Sequence, residues 1–274
     1  MPAVGFGVYG LGPNERTMDA VTAAIDAGYR LIDTASGYGN ETEVGRAVRE
    51  SGLERSAVFV TTKLKPADYG FDKALFAFDE SMTKLGLGVI DLYLLHWPVP
   101  LEFERTVATW KACERLLAEG RIRAIGVSNF TPAHIDALLE QCEVVPAVNQ
   151  IELHPYFVQL EHDLANRQLG IVTQAWAPMG GIDRYWAAHK RDVLSDPAIT
   201  ALAAKYDRTP AQIILRWHIQ QGRSVIPKSQ RPERIRENIA IFDFALESVD
   251  VDSISALDTG QRGGPDPEAV GINR

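Results

Sequence analysis

Four side chains in the first hundred residues are of types that, brought together, could move a proton onto an oxygen: Asp33, Tyr38, Lys63 and His96. A phenol ordinarily titrates near pH 10. A lysine ammonium beside Tyr38 would favour the phenolate and lower that value, while a carboxylate would hold the lysine charged and in place. An imidazole on the opposite side could hydrogen-bond a carbonyl oxygen. Such a set protonates an oxygen as a nucleophile adds to its carbon. Side chains supply no hydride, so this acid implies a nicotinamide cofactor. Taken singly, each residue has a plainer reading as a satisfied buried polar group.

A second constellation lies at Ser224 to Asn238, SVIPKSQRPERIREN. Val225 and Ile226 run as a short strand into Pro227, and Lys228, Ser229, Arg231, Arg234 and Arg236 follow among helix-start residues. The free N–H groups and positive dipole end of a helix favour phosphate, and nearby cations add formal charge. The competing reading is a solvated basic helix.

These residues must be placed by the elements around them. Eight apolar, strand-like runs alternate with amphipathic segments: 4–8, 29–33, 58–63, 91–96, 123–128, 147–152, 170–176 and 224–227. Helices are expected near 14–27, 41–51, 72–85, 105–119, 132–141, 160–168, 195–221 and 231–240. Strands apolar on both faces suit a buried parallel sheet. Eight strand–helix units in one chain of this length fit a (β/α)8 barrel. With no linker or low-complexity stretch, residues 1–274 are expected to form a single domain. A doubly wound sheet would want a glycine-rich turn after its first strand. GFGVYGLGP carries Pro13 there and lacks the matching acidic residue.

In such a barrel chemistry collects at the carboxyl ends of the strands. Those ends read Asp33, Lys63, His96, Ser128 with Asn129, Gln150, Trp176, and Lys228 with Ser229. Unpaired polar groups are costly to bury, so this many on one rim is a functional signal.

Composition narrows the classes. A net charge of −8, from 28 basic and 36 acidic residues, argues against a nucleic-acid or anionic-membrane partner. Cys113 and Cys142 lack metal or redox spacing and read as small buried hydrophobes in helices, which suits a reducing cytoplasm. No apolar run approaches membrane-spanning length, and the N-terminus lacks a signal-peptide pattern. The expectation is a cytoplasmic monomer without a metal site.

Motifs spread along the chain carry a family resemblance. DTA at Asp33 with YGNE at Tyr38, TTKL around Lys63, DLYLLHWP around His96, GVSNF around Asn129, VNQIELHP around Gln150 and IPKS around Lys228 occur in order along nearly the whole chain. In these the sequence resembles the aldo-keto reductase superfamily, particularly its short bacterial members similar to 2,5-diketo-D-gluconate reductases. The resemblance implies that Tyr38 is the general acid, that Lys63 and Asp33 tune it and that His96 orients the carbonyl. It implies that Asn129 and Gln150, with Ser128 beside them, bind the nicotinamide carboxamide and that Trp176 stacks on the ring. It places the loop from Ala177 to Gly181, with Met179, along the pyrophosphate. Lys228, Ser229 and Arg234 would grip an adenosine 2′-phosphate, with Glu237 and Asn238 near the adenine. A dianionic phosphate gains charge-assisted bonds there that a ribose hydroxyl cannot, so NADPH is expected over NADH.

Three departures accompany the resemblance. The amino-terminal hairpin that plugs the barrel in many relatives is expected to be absent or very short. Lys65 stands where close relatives often carry Trp, and it either lines the pocket rim or points to solvent. The segment after Asp258 is short and rich in Gly and Pro, which predicts an open pocket walled by Tyr9, Trp97 and Met179. Two other classes fit parts of the pattern. A Schiff-base aldolase would use Lys63 but leave Tyr38 and the basic corner idle, and a non-catalytic NADPH-binding regulatory subunit would bind without turnover.

Overall fold

The computed structural model describes residues 1–180 and 192–273. Its eight strands are β1 (Phe6–Gly7), β2 (Leu31–Asp33), β3 (Phe59–Leu64), β4 (Leu92–Leu95), β5 (Ile125–Ser128), β6 (Val148–Glu152), β7 (Val172–Trp176) and β8 (Ser224–Val225). They pair in parallel in strict sequence order. A parallel bridge between Val4 and Val225 joins the two edges. There Gly5 N donates to Val225 O at 2.8 Å and Gly7 N to Pro227 O at 3.1 Å. The expected (β/α)8 barrel is therefore present. No hairpin precedes β1 among the described residues.

The helices are α1 (Glu15–Asp26), α2 (Glu41–Glu50), α3 (Phe71–Leu85), α4 (Phe103–Ala118), α5 (Pro132–Leu139), α6 (Leu160–Gln168), α7 (Pro197–Tyr206), α8 (Pro210–Gln220), α9 (Pro232–Ile239) and α10 (Ser248–Ser255). Their starts are written in the sequence. Thr131 and Thr209 form capping boxes with His134 and Gln212, each followed by proline at the first helical position.

Strand side chains alternate between two environments. Tyr93 and Leu95 of β4 face the helices within the main core. Leu92 and Leu94 form a separate cluster with Val148, filling the barrel interior. Above this apolar plug the interior turns polar, with Asp33, Lys63, Gln150 and Gln174 all buried. Among the described residues no helix is long and apolar enough to cross a membrane.

Candidate active site

After β2 the chain makes a 3-10 turn, Ser36–Tyr38, that ends on Gly39 at φ 70°. The left-handed region suits glycine, and the residue there turns the chain into α2. The loop is tied from several sides. Ser36 Oγ donates to Lys63 O at 2.9 Å, Thr34 Oγ1 to Asn40 Oδ1 at 2.7 Å, and Asn40 Nδ2 to Val8 O at 3.1 Å. The result is a half-buried Tyr38 whose ring lies 5.0 Å from that of Tyr9 and edge-on to His96 at 5.7 Å.

The catalytic candidates meet as the sequence suggested. Lys63 is fully buried, and its Nζ donates to Asp33 Oδ1 at 2.5 Å, Thr34 O at 2.9 Å and Tyr38 Oη at 3.4 Å. The other carboxylate oxygen of Asp33 accepts from Gln150 Nε2 at 2.7 Å. A carboxylate only accepts, so this contact fixes which way the Gln150 amide faces. The second hydrogen on that nitrogen goes to Gln174 Oε1 at 2.7 Å, and Gln174 Nε2 passes on to Ser224 Oγ at 3.0 Å. Gln174 was not among the expected site residues. Its one sequence signal is an amide at the middle of a mostly apolar strand, two residues before Trp176.

The direction of the Tyr38 shift differs from the expectation. Burial, and then the negative charge of Asp33, push its phenol well above the ordinary value. Lys63 fails to lower it because the ammonium sits against Asp33, so its field reaches the phenol largely cancelled while the loss of water does not. Burial likewise lowers the pKa of Lys63, against the pull of Asp33. Tyr38 therefore holds its proton at neutral pH, as a donor must.

On the opposite side of the mouth, Asn129 Nδ2 donates to His96 O at 3.0 Å and to Ser128 Oγ at 3.1 Å, and its Oδ1 accepts from Trp176 Nε1 at 2.8 Å. Ser128 Oγ donates to Gln150 O at 2.8 Å. With their amide hydrogens engaged inside the protein, Asn129 and Gln150 have only oxygen lone pairs left to present to a carboxamide. Asn129 and Ala177 both adopt positive φ, 65° and 45°. Such strain in non-glycine residues gathers at functional sites. Trp176 stays half-exposed at the end of β7, a flat apolar face beside polar groups that fits a nicotinamide ring. Past it, Gly180 N donates to Ala177 O at 2.8 Å, and Met179 packs half-buried on the core. Gly181 of the expected pyrophosphate loop lies outside the described residues.

At the basic corner Lys228 and Arg234 are exposed and Ser229 is half-buried, its Oγ accepting from Arg231 N at 3.1 Å at the start of α9. Arg234 forms no ion pair among the described residues. Glu237 is exposed, whereas Asn238 is buried. The donors fit a phosphate, opposed locally by Glu233 in the first turn of the helix. Of the pocket candidates, Tyr9 is 52% exposed and borders Tyr38, while Trp97 is 8% exposed and stacks on His96. Lys65 is neutralised in part by Asp68 at 3.6 Å.

A family model described as the aldo/keto reductase family matches residues 3–259. The chain belongs to this family. It is 51% identical to morphine 6-dehydrogenase of Pseudomonas putida, over 98% of this chain and 92% of that protein. An aldo/keto reductase from Brucella melitensis superposes with a TM-score of 0.88 at 46% identity, covering 94% of this chain and 95% of that one. A Gox0644 mutant in complex with NADPH does so at 0.90 and 40% identity, covering 98% and 94%. As an aldo-keto reductase the protein is an oxidoreductase.

Proposed function

We propose that this aldo-keto reductase uses NADPH to reduce the carbonyl of small aldehydes or ketones, reversibly, with Tyr38 as the proton donor. The contact that carries this reading is Tyr38 Oη, half-buried at the mouth, held 3.4 Å from a Lys63 ammonium that is itself paired with Asp33 at 2.5 Å. A bound nicotinamide supplies the hydride. Trp176 offers the face on which that ring would lie, and Asn129 fixes the indole. His96, edge-on to Tyr38, orients the carbonyl oxygen toward the phenol. As the carbonyl carbon gains hydride, the oxygen takes the Tyr38 proton, and Lys63 stabilises the phenolate left behind. Solvent then returns a proton to Tyr38. Lys228, Ser229 and Arg234 select the phosphorylated cofactor, a reading that the NADPH complex of the Gox0644 mutant supports by similarity.

Quenching of tryptophan fluorescence by NADPH and NADH tests the cofactor assignment. Replacing Lys228 and Arg234 together by Met is expected to weaken NADPH roughly tenfold per lost charge-assisted bond and to leave NADH unchanged. Equal loss for both dinucleotides would remove the 2′-phosphate assignment. NADPH binding without turnover across a panel of aldehydes and ketones would instead make the chain a regulatory subunit.

A further inference from the structure

Glu152 is a fully buried charge at this rim that the carbonyl chemistry does not use. It ends β6 two residues beyond Gln150, so it shares the interior-facing side, and it is in register with Trp176 of β7. Its carboxylate is turned toward the segment after α10. Oε1 accepts from Gly263 N at 2.6 Å, Oε2 from Gly264 N at 2.8 Å, and His154 Nε2 lies 3.0 Å from Oε1. Two coplanar acceptors thus meet two successive backbone donors, a charge-assisted pair of bonds. Upstream the segment is fixed by Thr259, whose N and Oγ1 reach Tyr156 O at 3.1 and 2.8 Å. These glycines lie beyond the stretch that the family model matches.

What the clasp presses against is the indole. A β-carbon on Gly264 would stand 2.4 Å from Trp176 Cη2 and 2.9 Å from Glu152 Oε2. The glycine backbone is therefore flush with the benzo edge of Trp176, whose opposite, pyrrole side donates to Asn129. We infer that Glu152 is a positioning residue. By clasping Gly263 and Gly264 it seats the segment against Trp176 and fixes the plane that receives the nicotinamide ring. The inference rests on the proposed role of Trp176 as that platform.

The test compares NADPH with 2′,5′-ADP, which carries the adenosine 2′-phosphate but no nicotinamide, on Glu152→Gln, Gly264→Ala and Trp176→Ala. Glu152→Gln turns one acceptor into a donor facing a backbone N–H. Gly264→Ala attacks the same contact from the other side should the first variant fold poorly. The clasp predicts about tenfold weaker NADPH binding in both variants, the scale of an aromatic platform misplaced. It also predicts unchanged 2′,5′-ADP binding and faster hydrogen exchange at the amides of 259–266 in Glu152→Gln. Equal weakening of both ligands would mark general damage and overturn it. So would wild-type NADPH affinity in both clasp variants while Trp176→Ala binds weakly. Unchanged NADPH affinity in Trp176→Ala would instead strike the platform itself, and the clasp's role with it.

Discussion

Tyr38→Phe removes one oxygen and keeps the ring that packs between Tyr9 and His96. Carbonyl reduction should fall by about 10²–10⁴, the usual worth of a placed general acid, while the NADPH dissociation constant stays near that of the parent. Stopped-flow reduction with a parallel fluorescence titration separates the two, and an undiminished rate would exclude Tyr38 as the donor. The pKa direction adds a second expectation. Burial and Asp33 hold the phenol well above the ordinary tyrosine value of about 10, so its acid form persists through neutrality. Reduction should be level across neutral pH and decline only above pH 10. The meeting of Asp33 and Lys63 was legible because such types are rare at the ends of apolar strands, with Tyr38 close behind in the loop after β2. The sign of the tyrosine shift was not, since it depends on how completely Asp33 cancels Lys63. Gln174 was hidden for a related reason: a single amide in a strand has no visible partner until β6 and β7 pair and set it in register with Gln150.

Element by element, α5 starts where expected, behind the Thr131 capping box, but ends at Leu139 rather than 141, and the expected region 195–221 divides into α7 and α8 at the Thr209 capping box. The helix α10 was not expected because SVDVDSIS is mostly serine, valine and aspartate with one isoleucine, weaker helix formers that depend on packing. The runs at 4–8 and 224–227 shrink to β1 and β8, two residues each, where the chain closes the barrel and bends away. Cys142, expected within a helix, falls after α5 ends at Leu139. With Tyr38 as the proposed proton donor, the loop between β2 and α2 is the element on which the proposed chemistry would depend most. Asn40 is its brace, buried and bonded to both Thr34 and Val8. Asn40→Ala would strand a hydroxyl and a carbonyl, costing about 1–3 kcal/mol and loosening the turn that carries Tyr38. A lower urea midpoint with reduced kcat and little change in cofactor affinity is the expected result. A loss of stability with full kcat would show that the turn holds Tyr38 without it.

For the molecule as a whole, the barrel separates its tasks by end. Away from the mouth, buried carboxylates act as braces: Asp91 holds Arg55 and Arg123, each at 2.6 Å, and Asp163 holds Arg167 at 2.8 Å and Arg223 at 2.9 Å. Arg223 also lies 5.0 Å over Trp217 and presses on the neighbouring His218, which is buried and bonded to Pro178 O at 3.0 Å. Burial first, and then Arg223, lower the His218 pKa well below 6.5. His134 and His162 shift the same way, mainly through burial. Below pH 6.5 the unfolded chain therefore takes up protons that the folded barrel refuses, and stability must fall with pH. The slope per such histidine reaches about 1.4 kcal/mol for each pH unit, until the folded pKa is passed. His218→Gln keeps a donor for Pro178 O and removes the titration. Its Tm should lie near or below that of the parent at pH 8 but decline less steeply between pH 6.5 and 5. Parallel Tm curves for the two proteins would show that His218 is not what the acid limb reports.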